Sequence, residues 1–165
     1  MSLILNDADI MTGVELIDKH HLKYFSIANN LLARIEDKEK NEHLFKELNA
    51  YVVYHFDTEE EFMDKFNYDK TPQHKEQHEF FKNKIKELSY LYLVTGSLDE
   101  EAKNKISSAL IDWFVNHIQV VDRRLCNFIL EHSRTDTGIV EKLRYKLHDF
   151  IFKHGDHGPT SSFPA

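Results

Sequence analysis

The chain has 165 residues, 28 of them acidic and 21 basic, with a formal net charge of −7. That length suits one sizeable core rather than two domains, and the acidic surplus repels phosphate backbones, so no nucleic acid partner is expected. A single cysteine excludes an intrachain disulfide and any cysteine-based zinc or iron–sulfur site; a metal site would have to draw on nitrogen and oxygen donors, of which eleven histidines are a rich source.

No apolar run of about 18 residues and no leader-type pattern is evident, so no membrane partner and a cytoplasmic localisation are expected. Only 5 glycines and 3 prolines favour long helices over a many-turned β fold. Residues 1–17 read as an arm, apolar at Leu3, Ile4, Leu5, Ile10 and Val14 and broken at Gly13. Asp18 is placed to N-cap a first helix over about 19–37, with His21, Phe25, Ala28, Leu32 and Ile35 facing inward. Lys38 to Lys40 reads as a polar turn, and Asn41 as the cap of a second helix over about 42–66.

That second helix carries Leu44, Leu48 and Val52 in phase, then His55 and Glu59 four residues apart on the same face. An unpaired carboxylate on a core stripe costs several kcal/mol, so Glu59 is either solvated with Asp57, Glu60 and Glu61 or bound to something positive. A loop at Asn67 to Thr71 leads to Thr71-Pro72, read as an N-cap followed by proline at the first helical position. The third helix, about 72–94, presents His74, His78, Phe81, Ile85 and Leu88, and is expected to close at Gly96.

Ser97 and Glu100 suit a capping box for a fourth helix over about 98–132, where Ile106, Leu110, Trp113 and His117 are in phase. Past His117 the stripe resumes one residue late, at Asp122, Leu125 and Ile129. Residues five apart stand about 140° around an ideal helix, so a π-bulge is predicted between His117 and Asp122. Residues 135–165 read as an extension, with a short fifth helix over about 139–153 carrying Ile139, Leu143, Leu147, Phe150 and Ile151 and a loose tail from His154. That helix would cover a flank or dock a partner.

The expected fold is all-α, an up-down-up-down antiparallel four-helix bundle over 1–134, with short connections and an N-terminal arm. In that topology His21, His55, Glu59, His74, His78, His117 and Asp122 all fall toward one end. Five imidazoles and two carboxylates suit iron or another divalent first-row metal, and are too many for one tetrahedral zinc. Two ions bridged by both carboxylates account for them, with three histidines on one ion and two on the other. A further bridging oxygen would leave the second ion five-coordinate and able to take a small ligand.

At these residues the chain resembles the hemerythrin family, in particular bacterial hemerythrin domains, over about residues 8–132. The likeness rests on Ile17-Asp18-x-x-His21, on Tyr51-x-x-x-His55-Phe56-x-x-Glu59-Glu60-x-x-Met63, on Tyr68 followed by His74-x-x-x-His78-x-x-Phe81, and on Trp113-Phe114-x-x-His117-Ile118-x-x-x-Asp122. It implies two irons, one held by His74, His78 and His117 and the other by His21 and His55. Glu59 and Asp122 would bridge them, together with an oxo or hydroxo group. It also implies reversible binding of dioxygen for delivery, storage or sensing, without enzyme activity, in a monomer or a homo-oligomer.

Trp113, Phe114, Ile118, Phe56 and Phe25 then become lining of an oxygen pocket, a role that overlaps with plain core packing. Three positions depart from the family pattern: His20 stands where many bacterial members have glutamine, Phe114 where leucine is usual, and Asp69 where proline is common. His20 is expected at the surface or behind a ligand, and His43, His132, His148, His154 and His157 match no ligand position. Cys126 is read as packing. The competing readings are a di-iron redox enzyme, a peroxidase or nitric-oxide reductase, and a signalling module reporting through the C-terminal helix. The first is disfavoured because no Glu-x-x-His pair occurs.

Overall fold

The structure, a computed structural model, describes residues 7–34, 38–95 and 100–132. A short helix α1 (Asp7–Ile10) leads into four rods: α2 (Glu15–Ala33), α3 (Lys38–Phe66), α4 (Thr71–Thr95) and a continuous last rod. That last rod consists of α5 (Glu100–Ser107), a π-helical turn Ser108–Asp112, α6 (Trp113–His117), a second π-helical turn Ile118–Asp122, and α7 (Arg123–His132). Short connections force neighbours antiparallel, and α3 packs along both α2 and α4, giving the expected up-down-up-down bundle. Among the described residues there is no strand, and no helix is long and apolar enough to cross a membrane.

The first helix starts earlier than its sequence suggests. Val14 occupies the N-cap position of α2 without a side-chain hydrogen bond, so Asp18 is not the cap. Its carboxylate turns back and holds the preceding loop: Oδ1 accepts from the Thr12 amide and hydroxyl, each at 2.7 Å, and Oδ2 from the Gly13 amide at 3.1 Å. An acid in the first turn also suits the helix dipole. Gly13 has φ +89°, a conformation that disfavours side chains and lets the arm reverse direction into α2. On the inward face Leu31, rather than Leu32, completes the stripe of His21, Phe25 and Ala28.

Lys38 to Lys40 are helical, not a turn, and Asn41 lies inside α3 rather than capping it. At the other end, Asn67 adopts φ +51° and closes α3. The Tyr68 amide returns to the Met63 carbonyl at 2.9 Å and the Asn67 amide to that of Asp64 at 3.4 Å, a Schellman closure. Tyr68 and Met63 share one apolar cluster, the contact that accompanies this closure. Thr71 is the first residue of α4; its hydroxyl donates back to the Tyr68 carbonyl at 2.6 Å instead of capping. Gly96, Ser97, Ile35 and the predicted helix over 139–153 lie outside the described residues.

The core is two apolar layers with a polar one between. The larger layer takes Phe25 to Leu31 of α2, Phe45 to Phe56 of α3, Phe81 to Tyr92 of α4 and Ile106 to Ile118 of the last rod. The smaller takes Val14 to Ile17, Phe62, Met63, Tyr68, Leu125, Cys126 and Ile129. Each fully buried side chain of this kind contributes about 1.5–3 kcal/mol, and together they offset the cost of enclosing charged groups. Cys126 is buried among them, as packing requires, and burial pushes its thiol well above the usual range.

Candidate metal centre

The polar layer consists of the seven residues read from the sequence. His21, His55, Glu59, His74, His78, His117 and Asp122 are all 0–1% exposed, so each is inside the bundle and none is solvated. α2 supplies one, α3 two four residues apart, α4 two four residues apart, and the last rod two five residues apart. The π turn makes the last pair possible. The Arg123 amide reaches back five residues to the Ile118 carbonyl, so His117 and Asp122 come onto one face.

The first π turn, Ser108–Asp112, has no counterpart in the sequence reading and corrects it. It shifts the phase of the helix beyond it, so that Phe114 is fully buried while Trp113 is only half-buried. Tyr24, itself buried, donates its hydroxyl to the Leu110 carbonyl within that turn at 2.7 Å and stacks on Phe114 at 3.8 Å.

The two carboxylates divide their oxygens between two sets of imidazoles. Asp122 Oδ1 lies 3.0 Å from His117 Nε2 and 3.2 Å from His74 Nε2, whereas its Oδ2 lies 3.3 Å from His21 Nε2. Glu59 Oε2 lies 3.1 Å from His78 Nε2 and 3.5 Å from His74 Nε2, whereas its Oε1 faces His55 Nε2 at 3.9 Å. Two groups of donor atoms result, each within 4.8 Å of one another: Glu59, His74, His78, His117 and Asp122, and His21, His55, Glu59 and Asp122.

None of these short approaches is aligned as a hydrogen bond. The Nε2 atoms of all five imidazoles and all four carboxylate oxygens are buried without a hydrogen-bond partner. Each such atom costs about 1–3 kcal/mol when left unsatisfied, so their convergence is intelligible only around something they can all bind. Imidazole nitrogen and carboxylate oxygen without thiolate fit iron or another divalent first-row ion.

The charges of the metal-free layer compensate one another. Burial and Asp122 push Glu59 up, but His55, His74 and His78 outweigh them and hold its carboxyl well below the usual range. Burial likewise pushes Asp122 up, and His117, His21 and His74 bring it down. His74 is lowered by burial yet raised more by Asp122 and Glu59, to about 9. His21 is raised by the same balance, while burial keeps His55 well below its ordinary value despite the pull of Glu59.

A family model described as the hemerythrin HHE cation binding domain matches residues 12–129. The chain belongs to the hemerythrin family. It is similar to the bacteriohemerythrin of Pseudomonas aeruginosa, 25% identical over 152 residues, covering 91% of this chain and 88% of the relative. A bacteriohemerythrin of Clostridium acetobutylicum is 28% identical over 120 residues, covering 67% and 89%. The crystal structure of a wild-type hemerythrin superposes with a TM-score of 0.67 at 23% identity, over 78% of this chain and 98% of that one, and so shows the same fold.

Behind the hemerythrin donor layer stands a ring of outer partners. His21 Nδ1 is 3.0 Å from the Ile10 carbonyl, His78 Nδ1 3.0 Å from Glu60 Oε1, and His117 Nδ1 3.0 Å from Gln77 Oε1. His55 Nδ1 faces His20 Nδ1 at 3.4 Å. His20 is therefore not at the surface: it is fully buried, and burial lowers it to about 4 despite the nearby Glu59. Glu60 is named from the sequence without this role, and Gln77 is not singled out, because next to a histidine on a helix a lone polar residue gives no signal of its own. Glu60 is held below its usual range first by the His78 contact and then, against burial, by His78 and Lys75, which lies 3.3 Å away.

The aromatic residues expected around a pocket are mostly against the donor rings. Phe56 stacks on His78 at 3.8 Å and Trp113 on His117 at 4.7 Å. Phe114 stands edge-on to His21 at 5.9 Å and near His55 at 5.7 Å. Phe25 packs against Phe114 at 5.7 Å, and Ile118 is fully buried in the same apolar cluster. His43 and His132 are exposed, as their mismatch to any donor position suggests.

Proposed function

We propose that this chain holds two iron ions and binds dioxygen reversibly, for delivery, storage or sensing, and that it is not an enzyme. His74, His78 and His117 would hold one ion and His21 and His55 the other, with Glu59 and Asp122 shared between them. The observation that carries this reading is the division of each carboxylate, one oxygen toward each set of imidazoles. A single ion would need only one of the two groups. When bound, the pair of irons supplies the two electrons needed to take up dioxygen and recovers them on its release.

The chain's own residues then have distinct tasks. The outer contacts at Ile10, Glu60 and Gln77 fix three rings in the tautomer that leaves Nε2 free, and strengthen them as donors. Phe114 walls the side with fewer donors, and Phe25 and Ile118 close the space behind it. Phe56 and Trp113 immobilise the rings they stack on. Together these apolar groups keep out water, which would otherwise carry protons to a bound ligand.

The absence of Glu-x-x-His pairs and the predominance of imidazole favour reversible binding over oxygen cleavage. Elemental analysis tests the reading: two irons per chain are expected in the wild type, and loss of both on Glu59→Ala or Asp122→Ala. Retention of one tightly held ion in both variants would contradict shared bridging.

A further inference from the structure

Three of the five donor imidazoles lean on an oxygen atom: a backbone carbonyl, a carboxylate or an amide. The fourth, His55, leans on another imidazole. His20 and His55 face each other through Nδ1 at 3.4 Å, with ring planes at 77° and centroids 5.5 Å apart. His20 sits on α2 one residue before His21, so the same helical turn delivers one ring into the donor layer and the next against the back of His55. It is wholly enclosed, with the rings of Tyr54 and Tyr51 at 5.1 and 6.0 Å.

From this geometry we propose that His20 is a positioning residue for His55, acting as an imidazole acceptor that orients the His55 ring toward the ion shared with His21. The role rests on the two-ion reading above. His55 offers Nε2 to the layer, which leaves its proton on Nδ1. Two Nδ1 atoms in contact can share only one hydrogen, so His20 accepts there and carries its own proton on Nε2. That Nε2 is buried with no hydrogen-bond partner. At 3.4 Å the contact is looser than the 3.0 Å contacts behind His21, His78 and His117, so the His55 ring is the least firmly held of the four. His55 belongs only to the donor group of His21, so an ion on that side depends on His20 more than the other does.

The test is a titration of metal-free full-length protein with cobalt(II) alone, read by its d–d absorption, in the wild type, His20→Gln and His20→Leu. The wild type should bind two ions per chain. His20→Gln, whose amide oxygen can accept from Nδ1–H, should also bind two. His20→Leu should bind one as before and the second about ten- to a hundredfold more weakly. Unaltered binding of both ions by His20→Leu would overturn the proposal, as would an equal loss in His20→Gln. A wild type that binds fewer than two ions would overturn the two-ion reading itself. Long-range proton–nitrogen NMR of the zinc-loaded wild type gives an answer that needs no variant: a proton on His20 Nε2 and one on His55 Nδ1 are expected, and a proton on His20 Nδ1 would end the assignment.

Discussion

Asp122 Oδ1 lies 3.0 Å from His117 Nε2 although the two residues are five apart along one helix. In a regular α-helix that spacing would put them about 140° apart. The π turn Ile118–Asp122 removes the mismatch and lets one rod supply both an imidazole and a carboxylate to the same layer.

A one-residue change in that turn should therefore have opposite effects by sign. Deleting Val120, which is 49% exposed, would convert the turn to ordinary α-helix with His117 and Asp122 four residues apart, still on one face. Two ions per chain should be retained. Inserting an alanine after Val120 should swing Asp122 about 100° out of the layer and cost both ions, as Asp122→Ala does. Metal analysis of the two variants, with circular dichroism to confirm helicity, checks both; equal loss in each would contradict the role given to the turn.

The pH dependence of the metal-free protein originates in the same layer. His74 is raised above its ordinary value of 6.5 to about 9, so its contribution to stability is full below 6.5 and is lost as pH rises through 9. Glu59 and Asp122 are held low, so theirs is present above the ordinary carboxyl range and lost in acid as they protonate. A metal ion bound in this layer would displace the proton that His74 carries at pH 7. Uptake at pH 7 should release at least one proton per chain, measurable by calorimetry in buffers of different ionisation enthalpy. Identical heats across buffers would show that no proton is displaced.

How much of this was legible in the sequence depends on how local each cause is. The His and carboxylate spacings need only helical geometry and an up-down topology, so the meeting of these seven side chains in one layer and the second π turn could be read from the sequence. The first π turn could not: Leu110 and Ile111 are both apolar and both buried, so the stripe through Trp113 looked unbroken. Asp18 resembles a cap, but its partners Thr12 and Gly13 lie in a loop whose path depends on Gly13 at φ +89° and on α1 packing beneath α2. Which of its two expected places His20 takes, surface or behind a ligand, is hidden for a related reason. Its position 100° from His21 points to solvent on an isolated helix, and only the neighbouring α3 encloses it between Tyr51, Tyr54 and His55.

Phe114 connects stability with function. It stacks on Tyr24 at 3.8 Å and flanks His21 and His55, so Phe114→Ala should destabilise the chain by about 3–5 kcal/mol through the cavity it leaves. On the proposed two-ion reading the same cavity would admit water beside His21 and His55, so the oxygenated protein should autoxidise faster than wild type. Chemical denaturation and the decay of the oxygenated spectrum measure the two effects separately; a destabilised variant with unchanged autoxidation would remove Phe114 from the pocket wall.

The most direct measurement is the visible spectrum of the iron-loaded, fully reduced chain as oxygen is admitted and withdrawn. Two irons sharing Glu59 and Asp122 should give a colourless protein that gains an oxygen-dependent charge-transfer band, loses it under vacuum, and repeats the cycle with two irons per chain. A single iron, or a reduced protein whose spectrum is indifferent to oxygen or changes only once and irreversibly, would contradict the account.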